Sequence, residues 1–325
     1  MKTAVYIGSG VPYDRATEEE KDRISKFDLV LGNVVRPDHY AEMKARNPDQ
    51  VRLQIINFDV LIPLEFIQWR NPNDLVWDLN YQLSFKAASS HPEWFTGRRS
   101  YGGHYWLARF EDQSYVDYLI DAVADHADRW KGFFDGYMLE ALYTNPIWMW
   151  KGADPSQFSP SDWHNNTCRF AKALRLIGDS RDLLMGCQAG SQYMLDKNWL
   201  RTQWDLVKFE NPPQRAAGGR WKQWWDSEEW GGPGWYRENL AAPVLSKLSP
   251  DDVKQSPLSL SFFEVVRREV FSQEYWETLL RQAMFHANRV GACITWAWEP
   301  GHPLAHRIIP DFPELTLTAS ADAHG

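Results

Sequence analysis

Few of the usual chemical signatures occur in these 325 residues, and each omission removes a class of function. There are only three cysteines, Cys168, Cys187 and Cys293, far apart and with no CxxC pair. An odd, scattered set argues against a disulfide framework or a thiolate zinc site and leaves buried free thiols as the expectation. The HExxH, GxSxG and P-loop patterns are missing, and no strand-like run is followed by GxGxxG; Gly8-Ser9-Gly10 stands alone. His302 and His306 are four apart but sit beside prolines with no third ligand nearby, so no metal and no cofactor is expected. No window is long and apolar enough to span a membrane, and MKTAVYIGSG enters a strand-like run without an apolar signal core before it. The chain as written reads as cytoplasmic; removal of a signal segment would make it secreted or periplasmic. The sequon Asn165-Asn166-Thr167 is read as accidental. A basic excess is absent too. With 35 Lys and Arg against 43 Asp and Glu the net charge is −8, which argues against nucleic acid as the main partner and suits a neutral or cationic ligand. The oligomeric state stays open.

Tryptophan, by contrast, is abundant. Eighteen are present, several times the usual number for such a length. The indole N–H needs a partner when buried, so many of these residues are expected on partly open surfaces.

Eight short β-rich runs alternate with amphipathic helical stretches, the pattern of an α/β fold with a parallel sheet. The expected strands are Thr3–Gly8, Phe27–Gly32, Val51–Phe58, Phe133–Glu140, Asp182–Gln188, Asp205–Glu210, Leu258–Val265 and Ala292–Trp298. The clearest helices between them are Tyr115–Trp130, Asp162–Ile177 and Gln273–Val290. In the first, Tyr115, Leu119, Ile120, Val123 and His126 form a stripe that should face the sheet. Eight strands with interleaved helices predict a (β/α)8 TIM barrel as a single domain over residues 1–307, with long strand-end loops. Its last helix is incomplete or missing, and 308–325 reads as a poorly ordered tail. An open doubly wound sheet is the rival, disfavoured by the missing glycine fingerprint. A ninth β-like run, Tyr105–Phe110, needs a place outside the barrel.

Carboxylates recur at the ends of these runs, and in a TIM barrel the C-terminal ends of the strands form the functional face. The fourth expected strand ends on Glu140, the sixth on Glu210 and the seventh carries Glu264 near its end. Asn57 stands at the end of the third with Asp59 just past it, and Glu299 follows the eighth. Asp182 and Asp205 open two strands, so acids are not confined to one face. Alternation puts Gly136, Met138 and Glu140 on one face, and Leu206, Lys208 and Glu210 likewise. If those faces are inward, two carboxylates converge on the barrel mouth. Glycoside hydrolysis needs that pair: one protonates the leaving oxygen, the other attacks or activates water. A neighbouring carboxylate raises the donor's pKa, whereas Lys208 would hold Glu210 ionised, which makes Glu140 the acid and Glu210 the nucleophile or base. Asp135, on the other face, reads as structural in the loop entering the strand. Trp221, Trp224, Trp225, Trp230 and Trp235 crowd the segment after the sixth strand, and Trp148, Trp150 and Trp163 follow the fourth. Their flat faces suit the apolar faces of sugar rings, so they are expected to rim the cleft; Trp296 and Trp298 share one face of the last strand.

The sequence FDLVLG, then NPDQVRLQIINF, then HPEWF, then GFFDGYMLE resembles glycoside-hydrolase barrels related to the endo-α-1,4-polygalactosaminidase group. Asp135-Gly136 matches that group's Asp-Gly, and Glu210 in KFEN matches its glutamate at the end of the sixth strand. Glu140 stands where the group usually has Asp. His91–Phe95, with Trp94 at its centre, resembles a substrate-side loop element. The resemblance implies a barrel hydrolysing a glycosidic bond of an oligo- or polysaccharide with the carboxylates of strands four and six. Two other readings stand beside it: a carbohydrate-binding barrel that has lost its chemistry, and a lyase or isomerase with Lys208 as base.

Overall fold

Every one of the eight strand-like runs forms a strand, although the frames differ. The computed structural model describes residues 3–7, 13, 16–32, 36–56, 60–61, 83, 86–100, 105–142, 159–189, 204–210, 258–262 and 293–298. These residues belong to two compact units: Met1–Gly32, Met43–Val51 and Gly190–Gly325 form the first, Asn33–Glu42 and Arg52–Ala189 the second. The expected tail 308–325 and the expected helix Gln273–Val290 lie outside the described residues.

In the first unit, β1 (Thr3–Ile7) pairs in parallel with β2 (Leu29–Gly32) on one side and β11 (Cys293–Trp298) on the other. β10 (Leu258–Phe262) continues the sheet between β11 and β9 (Leu206–Glu210), again in parallel. Helix α1 (Glu18–Ser25) starts at a capping box: Thr17 Oγ1 accepts from the Glu20 amide at 3.3 Å, and Glu20 accepts from the Thr17 amide at 2.7 Å. Two orphan amides of the first turn are satisfied this way. After α1, the buried Gln50 amide donates at 2.8 Å to both the Ile24 and the Phe27 carbonyls, and so ties down the chain leaving the helix.

The second unit carries three parallel strands in the order β3 (Val51–Ile56), β7 (Gly136–Leu142), β8 (Leu184–Ala189). Helices α3 (Gln113–Arg129) and α4 (Pro160–Arg181) belong to it, while α2 (Pro37–Arg46) and β3 each contribute residues to both units. Asp112 caps α3 by accepting from the Ser114 amide at 2.8 Å, and Ser159 caps α4 just ahead of Pro160, where a missing N–H costs nothing. The buried face of α3 comprises Tyr115, Val116, Leu119, Ala122, Val123, His126 and Ala127; Ile120 is only half-buried, a correction to the expected stripe. Phe110, buried in the turn before α3, lies edge-on to Phe170 of α4 at 5.6 Å and against Trp163 at 5.5 Å. Arg181 clamps Asp128 through two 2.7 Å bonds and holds that carboxyl below its usual range. Asn165 is exposed on α4, but Thr167 is fully buried there, so the sequon is not presented as an acceptor site.

The ninth β-like run also has its place. β6 (Tyr105–Ala108) is the middle strand of a small antiparallel sheet, flanked by β4 (Val60–Leu61) and β5 (Phe95–Ser100). It grows from the segment after β3, as an insertion at that strand's C-terminal end.

Candidate active site

The strand that carries Glu140 begins and ends later than its hydrophobicity suggests. Phe133 and Phe134 precede it, and Phe134 is buried in the corner between α3 and β7, its ring 4.8 Å from Tyr137 and 5.7 Å from His126. The ladder starts at Gly136, whose partner is Leu184. A Cβ at Gly136 would lie 2.0 Å from the Leu184 carbonyl oxygen, so only glycine allows the two backbones this close. The strand then runs to Leu142, so Glu140 is not its last residue, a correction to the expected frame.

Tyr137 fixes which face is which. Its hydroxyl meets Nδ1 of the buried His126 on α3 at 2.6 Å, so Tyr137 faces the helix. Met138 then belongs to the opposite face, with Gly136 before it and Glu140 as the next position in that series. At that position the alternation breaks. Leu139 pairs with Cys187, but Leu142 pairs with Ala189: three steps on β7 against two on β8. The extra residue makes a β-bulge at Glu140-Ala141. Bulges bend a strand and re-aim its side chains, and they concentrate beside active sites.

Asp135, immediately before the strand, has the structural role expected of it. Its Oδ1 accepts from the Tyr40 hydroxyl at 2.8 Å and its Oδ2 from the Arg52 amide at 2.8 Å. Its own amide donates to the Arg52 carbonyl, and its carbonyl accepts from the Leu184 amide, both at 2.9 Å. One residue thus joins the starts of β3, β7 and β8 to α2. The Arg52 guanidinium, fully buried, lies 4.0 Å from the carboxylate and 5.3 Å from the centre of the Tyr40 ring. Burial, and then the Asp135 carboxylate it donates to, push the Tyr40 phenol well above its usual range. Sequence reasoning missed Tyr40 and Arg52. The available signal was an arginine inside the largely apolar strand VRLQII, whose other polar residue, Gln54, is uncharged.

The remaining site residues fall as follows. Glu210 is the last residue of β9 and pairs with Ser261; Lys208, two before it, pairs with Ser259. On β11, Trp296 pairs with Phe262 and Val5, and Trp298 with Ile7, so the two tryptophans occupy one face of that strand. Trp94 closes a 3-10 turn, Pro92–Trp94, that leads into β5. It is 5% exposed, stacks on His91 at 3.9 Å and gives its indole N–H to Ser114 Oγ at 3.0 Å. Trp163 is buried inside α4, a correction to its expected place on a rim. Asn57, Asp59, Glu264, Glu299, Trp148, Trp150, Trp221, Trp224 and Trp225 lie outside the described residues. Among the described residues no group of three or more His, Cys, Asp and Glu is arranged to hold a metal ion, and no helix is long and apolar enough to cross a membrane. Cys187 is a buried free thiol, raised by burial, and Cys168 is a half-buried one.

No family model matches the chain, and no curated protein matches it. Solved structures do. The glycoside hydrolase domain of PelA from Pseudomonas aeruginosa is similar over 94% of this chain and 96% of that one, with a TM-score of 0.55 at 12% identity. The fold is glycoside-hydrolase-like. Two more structures carry the same likeness at a TM-score of 0.50 and over 98% of this chain. One is a family 39 glycoside hydrolase from Bacteroides cellulosilyticus WH2, 12% identical and covered over 63% of its length. The other is the galactosidase domain of the α-galactosidase–sucrose kinase AgaSK, 10% identical and covered over 40%. At these identities the likeness speaks for the glycoside-hydrolase-like fold and not for a shared substrate.

Proposed function

We propose that the protein is a glycoside hydrolase acting on an oligo- or polysaccharide, with its eight parallel strands closed into one (β/α)8 barrel. The observation that carries this reading is the position of two glutamates late in parallel strands. Glu140 stands at the bulge of β7, and Glu210 is the final residue of β9. A barrel presents its functional groups at that end of its strands. In this reading Glu140 protonates the departing glycosidic oxygen, while Glu210, held ionised by Lys208, attacks the anomeric carbon or activates water. A carboxylate gap of about 5–5.5 Å gives retention of configuration, and one of roughly 6.5–9.5 Å gives inversion. Asn57, Asp59, Glu264 and Glu299 supply hydrogen bonds to sugar hydroxyls from neighbouring strand ends. Trp148, Trp150, Trp221, Trp224, Trp225, Trp296 and Trp298 offer stacking faces, whereas the buried Trp94 supports the turn before β5 from within. The strand motif Asp135-Gly136 with Glu210 makes enzymes of the endo-α-1,4-polygalactosaminidase group the first relatives to compare.

The test is turnover of an oligosaccharide panel, read as new reducing ends, by wild type, Glu140→Gln and Glu210→Gln. Loss of about a hundred-fold or more in each variant is expected, since each removes a group that acts on the breaking bond. Undiminished turnover in both variants overturns the assignment. Saccharide binding without product in the wild type identifies a binding barrel instead.

A further inference from the structure

Helix α4 carries an imidazole and a thiol that its packing leaves unused. His164 and Cys168 are four residues apart, so one helical turn brings them to the same side of the helix. His164 is exposed and Cys168 is half-buried. The residues around them do the packing. Trp163 lies against Phe110, Asn166 donates to the carbonyls of Phe110 and Glu111 at 3.1 and 2.9 Å, and Thr167 is fully buried. These contacts pin the turn to the approach to α3 and make no use of the pair.

The distance within the pair is close to what a metal ion sets. Cys168 Sγ lies 3.8 Å from His164 Nε2. An ion held tetrahedrally at about 2.3 Å from sulfur and about 2.0–2.1 Å from nitrogen keeps those two atoms roughly 3.5–3.6 Å apart. The pair therefore has to close by only about 0.2–0.3 Å to take one. Among the described residues neither side chain has another hydrogen-bond or ion-pair partner, so only their mutual contact is replaced.

The donor chemistry selects the ion. A thiolate and an imidazole suit zinc-like and copper-like ions, whereas magnesium and calcium demand oxygen ligands. Burial pushes the Cys168 thiol up, and Lys172 one turn further along offsets part of that rise. The thiol proton is therefore displaced to solvent as the sulfur–metal bond forms. Lys172 also repels a cation, which limits the affinity.

We propose that His164 and Cys168 form a two-residue chelate for a thiophilic divalent cation of the zinc class, bound through Nε2 and Sγ. Among the described residues no third His, Cys, Asp or Glu completes a group with them, so water fills the remaining positions of the ion. The bound ion clamps the turn that carries Trp163 and Asn166 and so stiffens the packing of α4 against the turn before α3. The glycoside-hydrolase reading is not needed for this site, because neither residue belongs to the strand-end carboxylates.

The experiment is titration of the reduced full chain with Co2+, followed by the near-ultraviolet thiolate-to-cobalt band, and then competition with Zn2+ and Mg2+. One ion per chain is expected, with Zn2+ expelling Co2+ and excess Mg2+ leaving the band unchanged. Cys168→Ser should abolish the band and Cys293→Ser should keep it. His164→Ala, an exposed substitution, should weaken binding by at least about ten-fold, the loss that even a supporting residue of a metal site causes. Zn2+ should raise the melting temperature of the wild type and of neither ligand variant. A wild-type chain without the band overturns the proposal, as does a band that survives Cys168→Ser or an affinity unchanged in His164→Ala. Competition by Mg2+ equal to that by Zn2+ overturns the assignment of the ion. One ion per two chains overturns the water-completed site.

Discussion

Replacing Asp135 should cost more than any other exposed-edge carboxylate in the second unit. Its side chain is 25% exposed, yet it accepts two 2.8 Å bonds, one from the Tyr40 hydroxyl and one from the Arg52 amide. Hydrogen bonds to an ionised acceptor contribute about 1.5–3 kcal/mol each, and the partial exposure argues for the lower end. Removal also strips the fully buried Arg52 of the carboxylate 4.0 Å away, and uncompensated buried charge is costly. Together these give about 3–4 kcal/mol for Asp135→Ala. Asp135→Asn keeps the size but offers an NH2 to one of two donors, for about 2 kcal/mol. At roughly 2–4 °C per kcal/mol, scanning calorimetry should show the alanine variant melting about 6–16 °C below wild type. Tyr40→Phe should cost less alone, and much less still in the Asp135→Ala background, because the two residues share one bond. An alanine variant within about 2 °C of wild type, or additive losses in the double variant, would refute the staple.

Two glycines before and at the start of β7 should respond differently to the same change. Gly136→Ala forces a methyl against the Leu184 carbonyl and should cost about 3 kcal/mol, whereas Gly132→Ala meets open space and costs about 1 kcal/mol for its φ of 86° alone; urea midpoints for the two variants check the order. Alkaline stability should follow Tyr40. Its folded pKa is raised above the unfolded value near 10, so the stabilisation is fully present below pH 10 and is lost as pH climbs towards the folded value. Melting scans across that window should fall less steeply for Tyr40→Phe, and an identical slope would rule the phenol out.

How much of this could be read from residues alone varied with the physics involved. Strand existence was readable because buried parallel strands are near-continuous apolar runs, as LVLG of β2 shows. Frames were not: the apolar pair Phe133-Phe134 looks like strand but fills a helix–strand corner, and hydrophobicity marks burial rather than the onset of a ladder. The structural role of Asp135 was readable from its parity, but its partners Tyr40 and Arg52 are 95 and 83 residues away, beyond any local pattern. Tryptophans were the least readable. Trp163 and Trp94 are buried, one on Phe110 and one satisfied by Ser114, because an indole serves a core as well as it serves a sugar. The separate place of Tyr105–Ala108 followed from counting, since eight other runs already accounted for the alternation.

The bulge in β7 changes how the tip of that strand can evolve. In a regular ladder, lengthening a catalytic side chain by one methylene is the only small step available for moving its carboxylate. With an extra residue at Glu140-Ala141, backbone and side chain become two independent adjustments at a single position. An exchange between Asp and Glu at position 140 can then compensate a displaced backbone rather than shift the carboxylate. Deleting Ala141 would restore the regular ladder and bring Leu142 one position nearer the root. Comparisons with other chains should therefore align this position from the pairing of β7 with β8, not by counting forward from Asp135-Gly136.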